Sequence, residues 1–124
     1  MTVYGDEWLL NYSPHLYQVP GYLPLHDYTQ AVRDGDIKKA TEIARGLNGL
    51  RAVQAKWCNG YGRPHGRIPQ HEQKVWMELL GMAGGGVRAP STPLSDAKRA
   101  ELEADLAATG ILDKVPGRRA IAAE

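Results

Sequence analysis

The sequence predicts a mainly α chain, and three observations carry that prediction. Apolar residues recur at spacings of three and four in several separate stretches. Those stretches are punctuated by helix signals, with Asp36, Pro69 and Ser95 at starts and Gly35, Gly81 and Gly110 at stops. Nowhere do about four to eight β-branched or aromatic residues run together between turn signals, so neither a buried strand nor a parallel sheet is expected.

Taken in order, residues 1–22 hold prolines, glycines and aromatics without a sustained period, and read as an irregular, partly helical N-terminal segment. The helical body is expected over residues 23–112. It opens with "LHDYTQAVR", which places Leu25, Tyr28, Ala31 and Val32 on one side and ends at "DGD", where Gly35 supplies a left-handed turn. Asp36 is placed to cap one long helix, "DIKKATEIARGLNGLRAVQAKW", on which Ala40, Ile43, Leu47, Leu50, Val53 and Trp57 form a stripe. Gly46 and Gly49 inside it each cost about 1 kcal/mol relative to alanine, and mark a bend or the approach of a neighbour.

"CNGYGRPHGRIP" reads as a loop, and Pro69 suits the first turn of "PQHEQKVWMELLG", with Val75, Trp76, Leu79 and Leu80 as its buried face. A linker runs through Pro93. Ser95 then caps "DAKRAELEADLAATG", whose Leu102 and Leu106 face inward, and residues 113–124 read as a frayed tail.

Composition narrows the partners. With 15 Lys and Arg against 14 Asp and Glu, the formal charge of +1 creates no field that would draw the chain to nucleic acid or a membrane. The longest apolar runs fall far short of the ~20 residues a membrane-spanning helix needs. One cysteine, Cys58, excludes an intramolecular disulfide framework. No basic region with a long apolar segment opens the sequence, so a cytoplasmic protein is expected, and "NYS" at Asn11 reads as a chance match to a glycosylation acceptor.

Five features invite a chemical reading. The cluster "GMAGGGVR" has the glycines of a phosphate cradle but follows a helix, whose exposed carbonyls repel anions, so Gly81 reads as a left-handed cap. Lys74 has the amine of a Schiff-base residue, but it shares a helix face with Gln70 and Glu78 and reads as a surface ion pair. Cys58, His65 and His71 lack the paired spacing of a zinc signature. Arg63, His65 and Arg67 form a small cationic loop suited to a carboxylate or a partner's acidic face, an inter-subunit contact before a substrate contact. Trp8, Tyr12, Tyr17, Tyr22 and Tyr28 have no Lys or Arg among them before Arg33, which argues against base stacking and for a surface that expects to be covered.

The order of pieces is informative. A helix followed by "RDGD", a long helix, a loop with "RIP", then "KVWMELLGMAGGGVRAPSTPLS" and a last helix closing at "TGIL" together resemble the C-terminal part of the dihydrodipicolinate synthase and N-acetylneuraminate lyase family of Schiff-base aldolases. The resemblance covers Leu23 to Leu112. Gly35 and Asp36 match the family's glycine-aspartate junction, Lys74 matches a lysine ahead of a leucine-glycine pair, here Leu80 and Gly81, and Arg88 and Pro90 match the arginine and proline that follow.

The resemblance implies the helical C-terminal region of a (β/α)8-barrel lyase, without a complete barrel in this sequence. In that family a lysine on the sixth strand forms the Schiff base with pyruvate or another 2-oxo acid, a tyrosine on the fifth assists proton transfer, and hydroxyls after the second hold the carboxylate. No position here matches any of them, so no catalytic, cofactor-binding or metal-binding residue is assigned, and no cofactor is expected. Residues 1–22 would be either a diverged N-terminal segment or a barrel remnant. The expected role is structural or in assembly, as a homo-oligomer or on a barrel-containing partner chain, within a carbon-carbon or carbon-oxygen lyase. The alternatives are a free-standing helical interaction or oligomerisation module, or an inactive truncation.

Overall fold

The computed structural model describes residues 13–58 and 68–117. Among them it is mainly α: α1 (Pro24–Arg33), α2 (Ile37–Gly46), α3 (Asn48–Trp57), α4 (Gln70–Leu79) and α5 (Asp96–Ala108), with single 3-10 turns at Pro14–Leu16 and Leu112–Lys114. The described residues contain no strand, only one antiparallel bridge between Val19 and Tyr22. That bridge closes the turn "VPGY", in which Gly21 takes a φ of +83°.

The junctions follow from the sequence. At the end of α1, Gly35 N–H donates to the Val32 carbonyl at 3.1 Å and Asp36 N–H to the Ala31 carbonyl at 2.9 Å. This paired closure uses a left-handed residue, and Gly35 sits at φ +75°. Asp36 then accepts from the Lys39 N–H at 2.9 Å and caps α2 as expected. Gly81 repeats the device after α4, with Gly81 N–H on the Glu78 carbonyl and Met82 N–H on the Met77 carbonyl, both at 2.9 Å.

The long helix expected from Asp36 to Trp57 is instead two, broken at Leu47. The flanking Gly46, Asn48 and Gly49 are poor helix formers, and Leu47 itself is almost fully buried. Arg51 stabilises the break: its guanidinium donates to the Ala44 carbonyl at 2.6 Å and to Asn48 Oδ1 at 2.8 Å, supplying a partner at the C-terminal end of α2.

The core lies among α3, α4 and α5. Leu47, Leu50, Val53, Trp76, Leu79, Leu80, Leu102 and Leu106 meet there, as the apolar periods predict, while Ile43, Trp57 and Val75 pack against it partly buried. Leu16, Tyr17 and Val19 join it from the N-terminal side and Ile111, Leu112 and Val115 from the C-terminal side, so packing runs past residue 22 and into the segment read as a tail. The tyrosine expected to need cover has it from this chain: Tyr17 is buried and its hydroxyl donates to Gln54 Oε1.

By contrast, α1 and α2 pack mainly on each other. Their fully buried residues are few, Pro24 and Ala31 on α1 and Ala40 on α2, while Ile37 at the start of α2 and Leu23 just before α1 are about half exposed.

Candidate functional site

The segment after Gly81 does not leave the molecule but folds back along α4. A Cβ at Gly84 would lie 2.2 Å from the Lys74 carbonyl oxygen and 2.7 Å from Glu78 Cγ, so only glycine lets the backbone approach this closely. Two residues on, the Gly86 carbonyl accepts a hydrogen bond from the Lys74 ammonium. The ion pair expected between Lys74 and Glu78 is replaced: Glu78 Oε2 instead receives Arg99 Nη1 of α5 at 2.7 Å. Lys74 holds the loop to its helix, and Glu78 holds α5.

The folded-back loop leaves a groove of about 740 Å³ between itself and α4. Gln70, Gln73, Lys74 and Met77 line one wall, and Val87, Arg88, Ala89, Pro90 and Ser91 the other. The turn at Pro14–Leu16, packed on α4, places His15 at its edge. Ser91 N–H donates to the Arg88 carbonyl at 2.9 Å, which shapes the loop wall, and the Ala89–Pro90 peptide is cis. A second groove of about 380 Å³ shares Gln70, Pro90 and Ser91 and adds Ile68, His71 and Thr92. Three basic side chains, His15, Lys74 and Arg88, therefore face one groove, and none of the residues lining either groove is acidic.

The other sequence candidates separate. Cys58 is buried, and burial first, then the neighbouring Glu72 carboxylate, pushes its thiol up to about 12, which leaves it protonated and a poor nucleophile or metal ligand. His71 is buried on α4, and the described residues contain no cluster of metal-ligating side chains. Arg63, His65, Arg67, Trp8 and Tyr12 lie outside the described residues. Tyr22 lies under the Lys114 ammonium, 5.7 Å from its ring centroid, and Tyr28 lines a shallow groove of about 240 Å³ between the first three helices. No helix among the described residues is long and apolar enough to cross a membrane.

Sequence reasoning found Lys74 and Arg88 but gave both purely structural roles, and it missed His15. No local pattern announces that residue, because only the packing of the Pro14–Leu16 turn on α4 brings it to the groove. The arrangement offers hydrogen-bond donors and positive charge with no carboxylate, which suits it to holding an anion. Comparison of the chain with protein-family models, with characterised proteins and with solved structures gave no match.

Proposed function

We propose that the chain is the C-terminal helical portion of a dihydrodipicolinate synthase-like lyase acting on pyruvate or another 2-oxo acid, with a structural or assembly role and no catalysis of its own. The observation that carries this reading is the state of the residues behind the resemblance. Gly35, Asp36 and Gly81 make helix junctions, and Lys74 ties the glycine loop to α4. These are scaffold functions, which is what the family's appended region supplies. The thin packing of α1 and α2 and the half-exposed Ile37, Leu23 and Ile68 further support a layer that takes cover from another polypeptide, as a homo-oligomer or on a barrel.

The test of chemistry is reductive trapping. The purified chain, incubated with pyruvate and borohydride, is expected to gain no mass, whereas a barrel-containing lyase treated in parallel gains the reduced adduct on its lysine. An adduct on Lys74 would end the structural assignment.

A second reading, a free-standing helical interaction module, is favoured by one observation: the core closes on itself, with Leu16, Trp76, Leu80, Leu102 and Leu106 fully buried by this chain alone.

A further inference from the structure

We propose that the groove between α4 and the loop around Arg88 is a binding site for a small organic dicarboxylate. Among the described residues three cations are paired with acids: Lys56 with Glu101 and Asp105, Lys98 with Glu101, and Arg99 with Glu78. Arg51 donates to the neutral Ala44 carbonyl and Asn48 and lines a separate, smaller groove. Arg88 and His15 have no side-chain partner among the described residues, and Lys74 donates to a neutral carbonyl, which leaves its charge uncompensated.

Two cationic side chains, Lys74 and Arg88, facing one concavity without a carboxylate raise its affinity for anions, the His15 imidazole adds a further hydrogen-bonding group, and a ligand with two negative charges matches the pair best. Arg88 offers a planar fork of N–H donors for one carboxylate, and Lys74 offers point-charge donors for another. Met77, Val87, Ala89 and Pro90 add apolar surface along the same walls, so a short carbon skeleton between the two carboxylates is accommodated where a bare mineral anion gains nothing. The site is also held in place before any ligand arrives, because the Gly84 approach and the Lys74–Gly86 hydrogen bond fix the loop against α4. The inference stands apart from the lyase reading, since it needs neither a barrel nor turnover.

The experiment is a titration of the full chain, labelled with nitrogen-15, with succinate at neutral pH, and with sulfate and acetate at matched ionic strength. Saturable shifts are expected at the amides of Gln73, Lys74, Arg88 and Ser91, with a dissociation constant on the order of 1 mM or lower. Sulfate and acetate are each expected to bind about tenfold more weakly, and Arg88→Gln to weaken succinate about tenfold through loss of a charge-assisted contact. Arg88 is exposed, so that variant retains the fold, which its own spectrum checks. Lys39→Gln, on an exposed part of α2 away from the groove, is the control and leaves affinity unchanged. Shifts that do not saturate, shifts spread equally over Lys38, Lys39 and Arg45, sulfate binding as tightly as succinate, or an Arg88→Gln variant with undiminished affinity would each overturn the proposal.

Discussion

Two glycines of this chain carry opposite expectations. At Gly84 a methyl group would meet backbone, 2.2 Å from the Lys74 carbonyl oxygen, and backbone on a packed helix does not yield cheaply. Gly84→Ala is therefore expected to destabilise the chain by about 2 kcal/mol or to lift the loop from α4. Gly46 ends α2 without a positive φ, and nothing lies within 4 Å of where its Cβ would stand. Gly46→Ala should stabilise by about 0.5–1 kcal/mol, through helix propensity and a less flexible unfolded chain. Urea denaturation of both variants checks the pair. The sequence distinguishes neither case, since both glycines sit in or beside a helix and look alike; only the backbone that comes back across Gly84 separates them.

At the scale of elements, α3 and α5 are joined by a polar clamp. Asp105 Oδ2 accepts from the Lys56 ammonium and from the Trp57 indole N–H, each at 2.6 Å, and Lys56 also reaches Glu101 Oε1 at 3.0 Å. The hydrogen bond from Lys56 is the main cause that holds the Asp105 carboxyl below its ordinary value, with Trp57 assisting. A carboxyl whose folded pKa is depressed adds stability that is complete above its unfolded pKa, about 4, and is lost as pH falls through the lower folded value. The wild-type chain is thus expected to lose more stability between about pH 5 and pH 2.5 than Asp105→Asn does, measured by urea midpoints across that range.

The clamp also bears on local stability. Because α1 and α2 bury so little, their amides should exchange with solvent hydrogen well before those of α3, α4 and α5, an order that hydrogen-exchange mass spectrometry reads directly. The apolar stripes of α3, α4 and α5 and the caps at Asp36 and Ser95 were legible in the sequence because each is a local signal with a period or a fixed offset. The break at Leu47 was legible only as a bend marked by Gly46 and Gly49, not as the end of one helix and the start of another. Its backbone stays in the right-handed helical region, φ −86° and ψ −1°, so the apolar stripe passes through it with little loss of phase. The groove was illegible for a different reason: His15, Lys74 and Arg88 come from a 3-10 turn, a helix and a loop, and only their packing brings them together.

For the molecule as a whole, the reading as one layer of a larger assembly makes a claim about mass. The purified chain is expected to show a weight-average mass above that of a monomer, rising with concentration, in light scattering. A mass fixed at 13.6 kDa at every concentration would favour the self-contained module instead.

Trp76 is wholly buried in the apolar core, with its indole N–H lacking an acceptor among the described residues, whereas Trp57 is partly exposed beside two ammonium groups at 5.3 and 5.6 Å from its ring. Trp76 therefore emits toward the blue and Trp57 toward the red, and a Trp8→Phe background removes the chain's third indole from the signal. Loosening of the outer clamp and collapse of the interior become two optical events, distinguishable by colour in a single cuvette.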